Sequence, residues 1–186
     1  MEISYIPTKT KIGTPITLAE AKAQLQIESN FTADDTYIAS LVAIAIDKLE
    51  ADTNSDVLET TNELVFDLES SAPAMWYINQ SPLISVDKIE KKVGATWSDV
   101  STTDYRVRPW FSKFLITTLV TIEADQIRIT FKTGYAAANM PRVLKGAALL
   151  KVADLFTNER QGYTLNVAAN TAYQSLISKH IRTYWG

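Results

Sequence analysis

Residues 35–69, DTYIASLVAIAIDKLEADTNSDVLETTNELVFDLE, contain the change of hydrophobic period that decides the fold. In the first half, apolar residues recur three or four positions apart, which places them on one face of an amphipathic helix. They are Ile38, Leu41, Val42, Ala45, Ile46 and Leu49. From about Thr60, Leu64 and Phe66 alternate with polar residues, which is the period of a half-buried strand. The chain therefore passes here from a helical region into a β-rich region.

A short helix is predicted before this stretch. Thr17-Leu-Ala-Glu20 is a capping-box pattern, in which the threonine hydroxyl and the glutamate carboxylate accept hydrogen bonds from N–H groups at a helix start. Asp34 and Asp35 suit the start of the second helix, because a helix N-terminus carries a partial positive charge. Capping explains these two acids better than a metal-binding carboxylate pair does.

Two further helices are predicted after the β-rich region. Pro141 is well placed as the first residue of one, because the N–H that proline lacks has no helical partner there. Residues 143–156 are apolar nearly all round, so this helix should lie in the middle of its bundle. The last helix should cover about residues 169–184. Its apolar stripe comprises Tyr173, Leu176, Ile177, His180 and Ile181.

Short strand candidates, separated by Pro, Gly, Ser and Asp turn residues, lie between the helical regions. They cover residues 76–78, 84–92, 97–100, 105–108, 114–118 and 127–131. This order predicts an α+β fold, in which the N- and C-terminal helices form a small antiparallel bundle and the middle forms a β-rich insertion. The predicted domains are a helical core, residues 14–55 and 139–186, and the insertion, residues 60–135.

Composition excludes several classes of function. The 186 residues include no cysteine, so the chain has no disulfide, Cys-based metal site or cysteine nucleophile. A formal net charge of −3 gives no global positive field for nucleic-acid backbones. Residues 1–13 lack a secretory pattern, and no apolar run reaches the roughly 18 residues of a membrane span, so no membrane partner is expected.

Few residues are placed for catalysis. His180 is the single histidine and lies on an apolar stripe, where hydrogen-bonded packing is commoner than catalysis. Asp154 and Glu159 are five positions apart and do not share a helix face. No Gly-rich phosphate loop or serine-nucleophile motif occurs. We therefore predict no catalytic, cofactor-binding or metal-binding residues, and the protein is not expected to be an enzyme.

Residues 105–114 interleave basic and aromatic side chains. They include Tyr105, Arg106, Arg108, Trp110, Phe111, Lys113 and Phe114. This composition is typical of a single-stranded nucleic-acid platform. It also fits a β-hairpin with a solvated basic edge and a partly buried aromatic face, which we favour because the remaining chain is acidic. A loop that contacts another protein, a neighbouring subunit or passing DNA is a third interpretation, and the sequence does not choose among them.

Tyr184 and Trp185 form a second candidate interface. Aromatic rings near the end of a chain are good anchors for protein–protein contacts. The same residues would equally well complete the helical core. The candidate interface residues are therefore Arg106, Arg108, Trp110, Phe111, Tyr184 and Trp185.

Several local phrases occur in a characteristic order over roughly residues 14–184. They are TLAEAKAQL (17–25), DDTYIASLV (34–42), SPLISVDKI (81–89), ITFKTGY (129–135), PRVLKGAAL (141–149) and LFTNER (155–160). In this order they resemble the head-tail connector family of long-tailed bacteriophages, the adaptor or head-completion proteins described as gp6-like DNA-packaging connectors. The last phrase resembles the family's aromatic-x-x-x-Arg-Glu segment with the final charge order reversed.

The resemblance implies a structural virion protein without a cofactor. Such a subunit assembles as a homo-oligomeric ring, with the twelve-fold symmetry of portals, between the portal protein and a tail or neck (stopper) protein. DNA passes through the ring without sequence-specific binding. The resemblance further implies a place in the virion neck, after assembly in the bacterial host cytoplasm.

Two alternatives belong to other classes. One is a stand-alone ligand- or protein-binding module, with an aromatic-lined β groove around Trp76, Trp97, Trp110 and Phe111. The other, weaker, is a hydrolase that uses His180 with a nearby serine or aspartate.

Overall fold

The computed structural model describes residues 8–68, 74–110, 112–161 and 171–182. Within these residues the chain forms eight strands and four α-helices, so the predicted α+β class is confirmed. The chain divides into two compact units. The β unit comprises the described residues of Met1–Ile12 and Leu58–Tyr135, and the helical unit those of Gly13–Val57 and Ala136–Arg182.

The β unit contains two antiparallel sheets. Its strands are β1 Thr8–Ile12, β2 Glu59–Asp67, β3 Met75–Ile78, β4 Leu83–Val93, β5 Thr96–Asp99, β6 Tyr105–Pro109, β7 Phe114–Thr118 and β8 Gln126–Thr133. The first sheet has the order β1-β2-β8-β4-β5, and the second has the order β3-β7-β6. Each predicted strand is present with its ends shifted by at most two residues, whereas β1 was not predicted.

The core of the β unit lies between the two sheets. On β8, the buried residues Ile127, Ile129 and Phe131 alternate with the half-buried Arg128, Thr130 and Lys132. One apolar cluster draws residues from both sheets, so the sheets pack face to face. It comprises Leu64, Phe66, Trp76, Ile78, Ile89, Val100, Phe114, Ile116, Ile122, Ile127, Ile129 and Phe131.

The helical unit contains α1 Leu18–Gln24, α2 Asp35–Thr53, α3 Arg142–Gln161 and α4 Thr171–Ile177. All six apolar positions predicted for α2 are buried. Helix α3 packs against each of the other three, as expected for a helix in the middle of a bundle. No described helix is both long and apolar enough to cross a membrane.

Both C-terminal helices differ from the prediction at their ends. Helix α3 begins at Arg142, and Pro141 precedes it, with its carbonyl accepting the first helical hydrogen bond from Lys145 N–H at 3.0 Å. Helix α4 ends at Ile177 instead of near residue 184. The predicted stripe fails beyond this point, because His180 is only half-buried and Ile181 is 41% exposed.

The backbone of Arg182 explains why the chain leaves the helical path. Its N–H donates to the carbonyl of Thr53 at 2.9 Å, and its carbonyl accepts from Asn54 Nδ2 at 3.2 Å. Both partners lie at the C-terminal end of α2. The backbone groups of Arg182 are therefore bonded to the end of α2, whereas in a continued α4 they would bond to other residues of that helix.

The capping box at the start of α1 is confirmed. The Glu20 N–H donates to Thr17 Oγ1 at 3.2 Å, and the Thr17 N–H donates to Glu20 Oε2 at 2.9 Å. In addition, Lys145 of α3 donates to Glu20 Oε1 at 2.6 Å. The Lys145 ammonium, followed by the Thr17 backbone, lowers the pKa of the Glu20 carboxyl from 4.5 to about 2. One carboxylate thus caps α1 and fastens it to α3.

We expect Glu20→Gln to lower the free energy of unfolding at neutral pH by about 0.5–1 kcal/mol, a small effect because solvent screens this partly exposed pair. A depressed carboxyl pKa stabilises the fold above the unfolded value, and this stabilisation is lost as the pH falls from about 4.5 towards about 2. The difference between variant and parent should therefore shrink in acid. Urea unfolding at several pH values measures it.

Glu28→Gln, at an exposed position in the loop after α1, is the matched control. An unchanged difference between the Glu20 variant and the parent across this acid range would show that the carboxylate charge does not stabilise the helical unit.

Candidate interaction surface

The outer face of the β3-β7-β6 sheet carries most of the described residues among the predicted interface positions. Pairing aligns Met75, Thr117 and Arg106 in one row across the three strands. The next outward row contains Tyr77, Leu115 and Arg108. We call the set Met75, Tyr77, Arg106, Arg108, Trp110 and Lys113 the cationic face.

The turn between β6 and β7 completes the cationic face. The Trp110 N–H donates to the Lys113 carbonyl at 2.8 Å, which closes the hairpin. The Lys113 ammonium lies 5.2 Å from the centre of the Tyr77 ring and 5.5 Å from the centre of the Trp110 ring, within cation–π range. The two ring centres are 6.2 Å apart. One lysine therefore bridges two exposed aromatic rings.

The cationic face combines basic charge with exposed aromatic rings. None of the residues of β3, β6 and β7 is acidic. Met75 is 61% exposed, Tyr77 52% and Trp110 50%. The hairpin predicted for residues 105–114 is confirmed, with both arginines exposed and Phe114 buried. Its use as an interface stays a prediction. Phe111, Tyr184 and Trp185 lie outside the described residues.

The outer face of the first sheet is also charged, but its charges are paired within the chain. Glu90 is buried, 2.6 Å from Arg128 Nε and 2.7 Å from Lys88 Nζ. Arg128, and then Lys88, hold the pKa of the Glu90 carboxyl below its usual value. Lys88 also pairs with Asp99 at 3.3 Å, and the Arg128 guanidinium stacks 4.3 Å from the centre of the Trp97 ring. This network stabilises the sheet and offers little unneutralised charge to a partner.

The predicted aromatic groove is wrong for the tryptophans that the structure describes. Trp76 is only 6% exposed and packs edge-on against Phe66 in the core, with ring centres 5.2 Å apart. Trp97 belongs to β5 of the first sheet, whereas Trp110 lies in the turn between β6 and β7 of the second sheet. The alternation of β3 turns Trp76 inward, and strand pairing separates the other two rings. A shallow depression lined by residues including Lys91, Asp99 and Val120 measures about 80 Å³. That volume is well below the roughly 300 Å³ at which ligand pockets begin.

The candidates for chemistry are scattered. His180 is half-buried after α4, and burial, with the nearby Arg182, lowers the pKa of its imidazole. Asp34 occupies the N-cap of α2 but makes no capping hydrogen bond with its side chain, contrary to expectation. The side chain of Glu159 lies outside the described part of the chain. Among the described residues, no three His, Asp or Glu side chains are grouped closely enough to hold a metal ion.

Lys22 is the residue that sequence reasoning missed. It is only 4% exposed, and its ammonium pairs with Asp35 at 2.5 Å. It also donates to the carbonyls of Ser29 at 3.3 Å and Phe31 at 2.8 Å. The available signal was its position four residues after Leu18, on the apolar stripe of α1. Lys22 thus stabilises the loop between α1 and α2 through these contacts.

Comparison with known proteins gives a likeness of fold. No protein-family model and no curated protein matches the chain. The fold matches chains in three solved structures, and each match covers 96% of this chain and 98% of the matched chain. The first is the neck of an empty gene transfer agent (GTA) particle computed with C6 symmetry, with 18% sequence identity and a TM-score of 0.75. The second is the virion of a native GTA particle, with 18% identity and a TM-score of 0.73. The third is the neck of a native GTA particle computed with C12 symmetry, with 17% identity and a TM-score of 0.72. Membership in the gp6-like connector family stays a prediction.

Trp76 and Trp110 should respond differently to truncation. We expect Trp76→Ala to lower the free energy of unfolding of the β unit by about 3–5 kcal/mol, because it empties a core position. Trp110→Ala should change it by less than about 0.5 kcal/mol, because the ring is half-exposed on the cationic face. Urea unfolding followed by circular dichroism compares the variants. Similar losses for both would mean that Trp110 belongs to the core.

Proposed function

We propose that this protein is a structural subunit of the neck of a phage-like particle. More specifically, we propose a head-tail connector (adaptor) that assembles as a ring on the portal protein, between capsid and tail, and completes the DNA channel. The likeness of fold to chains from GTA necks, over nearly the full length of both chains, carries this proposal. Two of those structures were computed with C6 and C12 symmetry, which supports a ring.

The surfaces of the β unit support a protein that works by contact. Subunits of a cyclic ring meet through two unlike surfaces, so a ring requires complementary patches and no deep pocket. The cationic face is a patch of this kind, with exposed Met, Tyr, Trp and Arg side chains, which are enriched in interfaces. No observation on the described residues favours the ligand-binding module or the hydrolase.

The charge of the chain suits a channel for DNA. A formal net charge of −3 opposes lasting attachment to phosphate backbones. Passage of DNA without sequence-specific binding is what the resemblance to the connector family implies, and it is part of this proposal. The proposed partners are therefore further copies of this chain, the portal protein and a tail or neck (stopper) protein. The proposed location is the virion neck, after assembly in the host cytoplasm, and no cofactor is required.

The end of the chain is a second proposed contact, through Tyr184 and Trp185. Arg182 is buried and bonded to the end of α2, so a truncation that tests this contact should begin at residue 183 and leave Arg182 in place. Portal binding that survives deletion of residues 183–186 would remove the C-terminal contact from the proposal.

Negative-stain electron microscopy with mass photometry tests the function directly. The purified protein is examined at high concentration, alone and with the portal protein encoded in the same genome. We expect closed rings, or an added layer on the portal, with twelve subunits in the circle. Monodisperse monomers that leave the portal undecorated would contradict the adaptor function.

A further inference from the structure

We propose that the cationic face of one subunit binds the loop between α1 and α2, residues 25–34, of a second copy of the chain. This proposal rests on the proposed ring, because each subunit of a ring must offer two unlike surfaces. It adds which two surfaces meet.

Within the described residues, the three cations of the cationic face have no acidic partner. Arg106, Arg108 and Lys113 form no ion pair with the part of the chain that the structure describes, and the strands that carry them contain no acid. Since the chain as a whole has a formal charge of −3, these three cations leave −6 on the remaining residues. The remainder of a second copy is therefore acidic overall.

The acidic charge is concentrated in the first two helices and their loop. Residues 13–57 contain eight acidic and two basic side chains. The acids are Glu20, Glu28, Asp34, Asp35, Asp47, Glu50, Asp52 and Asp56. Both basic residues are already engaged with acids, Lys22 with Asp35 and Lys48 with Asp52. Lys145 of α3 also pairs with Glu20, so three lysines face eight acids and the segment keeps a formal negative charge.

Within this acidic segment, the α1–α2 loop combines charge with an exposed aromatic ring. Phe31 is 48% exposed, although phenylalanine is usually buried. Its N–H donates to the carbonyl of the exposed Glu28 at 3.1 Å, so the ring and this carboxylate belong to one turn. An aromatic side chain beside an acid is the chemical complement of aromatic rings beside three cations.

Contacts within the helical unit hold the backbone of the loop. The buried Lys22 ammonium holds the carbonyls of Ser29 and Phe31 and the carboxylate of Asp35. These contacts fix the backbone that carries Phe31. Binding then costs little conformational entropy, which is the main advantage of a preorganised interface.

The proposed contact places the Phe31 ring against Tyr77, Trp110 and Met75, and the carboxylate of Glu28 against the three cations. An apolar centre with a charged rim is the usual arrangement of a specific interface. The charged pairs select the orientation and accelerate association. Because every subunit has one loop and one cationic face, the contact repeats from copy to copy.

Cysteine cross-linking tests this contact in a chain that has no cysteine of its own. Two single variants, Phe31→Cys and Tyr77→Cys, are prepared with tags of different length, mixed in equal amounts and oxidised gently. A disulfide requires Cα atoms within about 7 Å, so it reports only close approach between copies. We expect mixed dimers on a non-reducing gel in large excess over those of the control pair Ile44→Cys with Tyr77→Cys. Ile44 is 46% exposed but lies on α2, outside the loop.

Charge reversal in the same mixture tests the ionic part. Arg108→Glu in the Tyr77→Cys chain, or Glu28→Arg in the Phe31→Cys chain, should each reduce the mixed dimer about tenfold, and the two together should restore it. Lys179→Glu, at an exposed site of the helical unit, should leave the yield unchanged.

A yield no greater than that of the Ile44 control, with rings or portal decoration intact in the parent, would overturn this contact while leaving the neck function standing. Loss of duplex-oligonucleotide binding in Arg106→Glu and Arg108→Glu, with an undiminished cross-link, would assign the two arginines to nucleic acid instead. A parent that forms neither rings nor a portal layer contradicts the proposed function, whatever the cross-link shows.

Discussion

The register of β8 is the constraint on which the β unit depends. This strand pairs with β2 on one side and β4 on the other, and Ile129 lies opposite Leu64 and Ile89 in the same row. A shift by one residue would turn Arg128 and Lys132 into the core and the isoleucines outward. Two irregularities in the pairing of β4 lie before Ile89 and leave this row aligned. At its end, Gly134 has a φ of +90°, and a Cβ there would lie 1.8 Å from the Leu58 carbonyl oxygen. β8 therefore ends where only glycine fits.

The same register positions the second sheet. Phe131 meets Phe114 of β7 edge-on, with ring centres 5.1 Å apart, so the central strands of the two sheets are packed directly together. Once Phe114 and Ile116 face inward, pairing with β7 turns Arg106, Arg108 and Tyr77 outward. The strand residues of the cationic face thus face outward as a consequence of core packing.

Local patterns predicted the elements, and contacts distant in sequence explain the errors. The period of α2 and the capping box at Thr17 depend on neighbouring residues, and both were predicted correctly. Strand β1, with the sequence TKTKI, has no apolar alternation and is an edge strand that exists through its pairing with β2. The end of α4 depends on a hydrogen bond between Asn54 and Arg182, 128 residues apart.

In the candidate site, too, the residues of one local segment could be predicted, and those brought in by strand pairing could not. Arg106, Arg108 and Trp110 were visible as a basic and aromatic segment. Met75 and Tyr77 join them only because β3 pairs with β7, about 40 residues further along the chain. The error over the tryptophans has the same origin, since sheet membership and face are set by pairing and not by composition.

An identity of 18% with a TM-score of 0.75 shows that the likeness to the GTA chain is one of fold and not of sequence. Cores accept many hydrophobic exchanges when the pattern of buried positions is kept, whereas surfaces change freely. The charges of this chain must therefore explain its own contacts. On the proposed contact, the three cations of each subunit are covered by a neighbour, and the assembled ring exposes a more acidic surface than the free chain does. Attraction between copies and weak attachment to DNA then follow from one charge distribution.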